Sequence, residues 1–108
     1  DQMFSPLVSA FLSSWPGVHM TVAGTGEQAA RPLTRQMVSG ADLIFALAPH
    51  QREFVRANFD SRPTDERIIT LFIPEDPAPN DLILMSLLKS KCEGRIQYFR
   101  SVVGPRRS

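Results

Sequence analysis

Leu43-Ile44-Phe45-Ala46-Leu47 is an unbroken apolar run. A strand with one wet face alternates apolar and polar residues, so a short continuous run reads as a strand buried on both faces. Burial on both faces is the condition of a parallel sheet sandwiched between helices, which restricts a chain of this kind to α/β layering. Ile68-Ile69-Thr70-Leu71-Phe72 repeats the pattern. Val18 to Ala23 alternates in part and reads as a third strand, closed by Gly24-Thr25-Gly26.

Helical signals fall between and around these runs. Ser5 is a good N-cap and Pro6 suits the first helical turn, where its missing N–H costs nothing. Leu7, Val8, Phe11 and Leu12 then give one apolar face, and Trp15-Pro16-Gly17 ends the segment. Thr34 is placed to cap a short helix reaching Gly40. Pro49 opens a further helix with Phe54, Val55 and Phe59 as its apolar face. Ser61 to Asp65 is rich in turn formers, and Pro74 to Pro79 is a proline-rich acidic loop. Asp81 is placed to cap a last helix through Leu82, Leu84, Met85 and Leu88, reaching Phe99. Strands and helices alternate through one domain, residues 1–108, of α/β class with a mostly parallel sheet in a three-layer sandwich.

Composition narrows the function classes. The 108 residues are 43% hydrophobic and 21% charged, with a net charge of +1 that makes no electrostatic case for nucleic acid. No apolar run is long enough to span a membrane and no leader pattern is present, so the expectation is a cytoplasmic protein without membrane partners. A single cysteine, Cys92, excludes an internal disulfide framework and a multi-cysteine zinc site. No cluster of His, Cys or carboxylates has metal-ligand spacing, and no metal or cofactor is expected. His19 reads as a surface strand residue. Cys92 falls within the last helix with Tyr98 where a loop arginine would be needed, and reads as a packing residue.

Asp1-Gln2-Met3-Phe4-Ser5-Pro6, followed by an amphipathic helix, Ala23-Gly24-Thr25, and Ala41-Asp42-Leu43-Ile44-Phe45-Ala46-Leu47 with His50 just beyond, resembles the low-molecular-weight protein tyrosine phosphatase family, in particular its short bacterial members. The likeness runs from about Asp1 to Phe99. In that family the phosphate-binding loop reads Cys-x-x-Asn-x-x-Arg-Ser-Pro. Asp1 stands at the Asn position and Phe4 at the Arg position, while Ser5-Pro6 match; the nucleophilic Cys would precede Asp1. The resemblance also implies a central strand just before that loop. It is not visible in the sequence, and its loss from a parallel sheet would leave two rows of backbone groups unpaired.

The resemblance implies roles for particular residues. Gln2, Met3, Phe4 and Ser5 correspond to the phosphate loop, with Ser5 as the hydroxyl beside the nucleophile. Asp81, and behind it Asp76, correspond to the acid that protonates the leaving phenolate; their simpler role is a helix cap and a solvated loop charge. His50 supports the site from behind, or is a polar residue at a helix start. Phe4 has neither charge nor donors. Losing a transition-state donor of this type removes about 3–4 kcal/mol of stabilisation. Asp1 would repel a phosphate dianion at neutral pH.

Three readings follow. One is a phosphatase-like domain that is catalytically impaired and keeps at most a site for phosphate or a phosphotyrosine-containing ligand. Another is an active cysteine phosphatase whose catalytic N-terminus lies upstream, with Arg31 or Arg35 replacing the loop arginine. The last is a non-catalytic interaction domain, monomeric or homodimeric, using Phe4 and Trp15 as an apolar surface unless both are core.

Overall fold

The computed structural model describes residues 6–24, 33–74 and 79–103. Three strands, β1 (Met20–Ala23), β2 (Leu43–Ala46) and β3 (Ile68–Thr70), form one parallel sheet in the order β1-β2-β3. Met20 pairs with Leu43 and Ala23 with Ala46, while Ile44 pairs with Ile68 and Ala46 with Thr70. Helix α1 (Pro6–Ser13) precedes β1. Helices α2 (Arg35–Ser39) and α3 (Pro49–Asn58) carry the two crossovers, and α4 (Asp81–Val103) ends the fold.

The layering follows from this order. The chain steps the same way across the sheet at both crossovers, so crossovers of one hand place α2 and α3 on the same face. Val38 and Val55 do meet there, packed with Ala23, Ile44, Ala46 and Ile68. The other face must then be covered from outside the crossovers. Phe11 of α1 and the α4 stripe Leu84, Leu88, Cys92, Ile96 and Phe99 close over Val22, Leu43, Phe45 and Ile69. Ile44 and Phe45, adjacent in sequence, thus enter different cores, and both are fully buried. The arrangement is the three-layer α/β sandwich expected from the apolar runs.

The gap expected for a sheet without a further central strand does not occur. β1 and β2 pair directly along four residues, and β2 is itself central, with a partner on each side. The backbone groups that would have been stranded satisfy one another. The pairing is braced beyond its ends: Leu47 N–H donates to Ala23 O at 2.9 Å, and Asp42 and Leu43 N–H both reach His19 O, at 2.6 and 3.2 Å. His19 lies just before β1 rather than within it, exposed, and its N–H donates to Asp42 Oδ2 at 2.8 Å.

Local chemistry sets the helix boundaries. Thr34 caps α2 as expected, its Oγ1 accepting from Met37 N–H at 3.1 Å. Gly17, at φ 81°, supplies the left-handed turn between α1 and β1. Three expectations are corrected. On α3 the buried pair is Gln51 and Val55, one turn apart, whereas Phe54 is half exposed and meets Phe59 edge to face at 6.2 Å. Phe54 sits about 100° around the helix from Val55, which alone of the two can face the sheet. At α4 the cap is Asn80 rather than Asp81, with Asn80 Oδ1 accepting from Ile83 N–H at 2.9 Å and Asp81 already the first helical residue. Leu82, expected on the apolar face, points to solvent.

Candidate functional site

Of the residues singled out by sequence, His50 lies at the edge of the sheet at which the strands end. In open α/β sheets this edge is where ligands bind, because the loops that leave the strands gather there. β2 passes through Leu47 and Ala48 into α3, with Pro49 at the first helical position and His50 next to it. Ala48 has no side chain able to cap, and its carbonyl accepts from Gln51 and Arg52 N–H at 3.0 and 3.3 Å. His50 is exposed, and its Nε2 lies 3.1 Å from Nε2 of the buried Gln51. The Gln51 amide can donate to this ring nitrogen in the tautomer that leaves Nε2 without a proton.

The end of β3 is irregular at the same edge. Leu71 N–H donates to Ala46 O and Ile73 N–H to Leu47 O, each at 2.8 Å. A regular parallel ladder would advance two residues on β2 for two on β3. The Ala48 carbonyl is already committed to α3, so β2 advances only one. Phe72 absorbs the surplus as a bulge at φ 59°, 71% exposed, while Leu71 and Ile73 stay buried. The apolar run 68–72 therefore forms a strand only to Thr70.

Other sequence-predicted residues are placed less fully. Asp1, Gln2, Met3, Phe4, Ser5, Arg31 and Asp76 lie outside the described residues, as do Thr25 and Gly26. Asp81 begins α4, but its side chain lies outside the described set. Arg35 begins α2 and is exposed. Trp15 is half-buried against the core, edge to face with Phe11 at 6.5 Å, rather than a projecting contact residue. His50 and the start of α4 thus share the strand-end edge.

Chemistry at other described side chains is limited. Cys92 is fully buried on α4, and desolvation pushes its thiol up to about 12, against weaker opposing pulls from Arg95 and Lys91. It can serve neither as nucleophile nor as metal ligand at neutral pH. The hydroxyls of Ser14, Ser39 and Ser101 each donate to a carbonyl three residues back. None of these four groups is an activated nucleophile. Among the described residues no group of three or more His, Cys, Asp or Glu could hold a metal ion, and no helix is long and apolar enough to cross a membrane.

Sequence reasoning missed Gln51, Arg52 and Phe72. Arg52 ties α3 to the β3 approach, with Nε donating to Ile68 O at 2.7 Å and Nη2 to Asp65 O at 3.0 Å. Gln51 precedes Val55 by one turn, a spacing that could have flagged it as inward facing. Nothing in the sequence around Phe72 announces its conformation.

No family model matches the chain, and no curated protein and no solved structure was found that matches it.

Proposed function

We propose that this chain is a low-molecular-weight protein tyrosine phosphatase-like domain, catalytically impaired, that holds a phosphate or phosphotyrosine group without efficiently turning it over. The observation that carries the reading is the passage from the buried strand β2 through Ala48-Pro49 into α3, which brings His50 to the strand-end edge of a parallel sheet. It joins the sequence likeness at Ser5-Pro6 and at Ala41 to His50. Impairment follows from Phe4 at the arginine position, which cannot form the bidentate fork that stabilises a transferring phosphoryl group. In this reading Ser5 and the start of α1 contact the anion, Gln2 and Met3 supply loop backbone, Asp81 or Asp76 is a vestigial acid, and the setting is cytoplasmic.

A second reading, a non-catalytic interaction domain, is favoured by the direct pairing of β1 with β2. That pairing occupies the position where the family's central strand would run.

The test is incubation of the purified chain with para-nitrophenyl phosphate, beside an NMR titration with inorganic phosphate. The proposal expects no turnover above buffer and a phosphate response confined to amides around Ser5 to Leu7. Turnover would overturn the impairment. A silent titration would overturn the phosphate site and leave the interaction domain.

A further inference from the structure

A cleft of about 350 Å³ opens at the opposite edge, where the strands begin, and is independent of the phosphatase reading. Leu43 and Ile69, at the start of β2 and within β3, line it together with Glu66 and Arg67 from the turn before β3. The last turns of α4 add Arg95, Tyr98, Phe99 and Val102. Its size sits at the lower end of the ~300–1,000 Å³ range of small-molecule pockets.

Its lining combines two chemistries. Leu43, Ile69 and Phe99 are buried and apolar, and Tyr98 is an aromatic wall with 70% exposure. Arg67 lies over the Phe99 ring at 4.8 Å. A guanidinium stacked on a ring is held in orientation while its in-plane N–H donors stay available for a second partner. Among the described residues neither Arg67 nor Arg95 makes an ion pair or a side-chain hydrogen bond, with Glu66 or any other carboxylate. Elsewhere on this protein the arrangement is different: Arg56 pairs with both Glu53 and Asp65. Among the described residues the cleft thus presents two guanidiniums that form no ion pair, above an apolar, aromatic floor.

The charge of the lining selects among anions. Arg67 and Arg95 contribute two positive charges and Glu66 one negative, leaving a net +1. A single carboxylate balances that charge, whereas a phosphate dianion meets excess charge and repulsion from Glu66. We propose that this cleft is a binding site for a small planar aromatic monocarboxylate, its carboxylate held by Arg67 and Arg95 and its rings laid against Tyr98, Leu43 and Ile69.

The probe is naphthalene-1-carboxylate, titrated into the intact chain and followed by NMR, with neutral naphthalene-1-methanol and inorganic phosphate as comparisons. Saturable shifts are expected at residues 66–69 and 95–102, with His50 unmoved. Charge-assisted hydrogen bonds of this type make Arg95→Ala weaken binding by about tenfold or more. Glu66→Gln strengthens it. Arg95, Tyr98 and Glu66 are exposed, so these variants keep the fold, which circular dichroism verifies. Equal binding of the neutral alcohol, an unchanged affinity in Arg95→Ala, or no saturable shift in the folded chain would each overturn the proposal. Phosphate competing as well as the carboxylate would overturn the monoanion assignment.

Discussion

Phe72 allows the backbone account to be tested with two substitutions. At most positions glycine is less stable than alanine by about 0.5–1 kcal/mol, because it loses more backbone freedom on folding. At φ 59° the order should reverse. A residue with a Cβ in the left-handed region carries a cost of about 1–2 kcal/mol that glycine does not. Subtracting glycine's entropic cost leaves Phe72→Gly more stable than Phe72→Ala by about 0.5–1 kcal/mol. Both variants lose the same ring, so its contacts cancel in the comparison. Trp15, the single tryptophan, is half-buried against the core and reports unfolding by fluorescence in urea. The two midpoints are compared at equal slope, so that a change in the unfolded state is not read as stability. If Phe72→Ala equals or exceeds Phe72→Gly, residue 72 does not occupy the left-handed region. The bulge forced by the Ala48 carbonyl would then be wrong.

Gly94 lies inside α4, and a Cβ added there would meet nothing within 4 Å. Gly94→Ala should therefore stabilise the chain by about 0.5–1 kcal/mol in the same urea experiment. Leu88 is fully buried under the sheet, and Leu88→Ala should cost about 2–5 kcal/mol, read as a lower thermal midpoint. Cys92 should resist a thiol reagent at pH 8 in the folded chain and react promptly in denaturant. Its folded pKa of about 12 lies above the ordinary value of 9.0, so its contribution is present below pH 9. Above that pH the unfolded chain gives up the proton first, and stability should fall progressively from pH 9 to 12 in a way that Cys92→Ala abolishes.

The layering was legible because burial leaves its mark in composition. Leu43 to Leu47 can have no polar side if helices cover both faces; the run is buried throughout, and Leu43–Ala46 form β2. Thr34 announced its helix because a hydroxyl before a helix has a local partner, Met37 N–H. What stayed hidden depends on partners distant in sequence. Ile68 to Phe72 looks like one strand, yet the stop after Thr70 is set by a carbonyl of Ala48, claimed by another helix. Gln51 replaces Phe54 on the buried face because of the side from which α3 meets the sheet. The cleft escaped notice for the same reason: Glu66 and Arg67 lie nearly thirty residues from Arg95 and Tyr98, and only the fold joins them. At the strand-end edge, His50 and the start of α4 were legible from Pro49 and from the apolar spacing after Asp81.

The sheet order and the phosphatase reading constrain each other. A strand inserted between β1 and β2 must move them apart by one further strand spacing, ~4.8 Å. That would break the four-residue pairing, the Leu47 to Ala23 hydrogen bond at one end and the Asp42 and Leu43 bonds to His19 at the other. If an active form has the central strand that the resemblance implies between β1 and β2, its loop arrangement and the pairing of β1 with β2 cannot coexist in one state. A form of this protein that hydrolyses an aryl phosphate must therefore lack backbone contacts between Thr21 and Ile44. A form that shows those contacts retains for phosphate only the contacts proposed for Ser5 and the start of α1. NMR contacts between these two residues, recorded under the conditions of the hydrolysis assay on a form that carries the upstream loop cysteine, show whether the closed sheet accompanies an absence of turnover. If, in a form that carries the loop cysteine, Phe4→Arg restores turnover while Thr21 and Ile44 remain paired, the geometric argument fails. If turnover stays absent in that form and the pairing persists, the geometric argument stands.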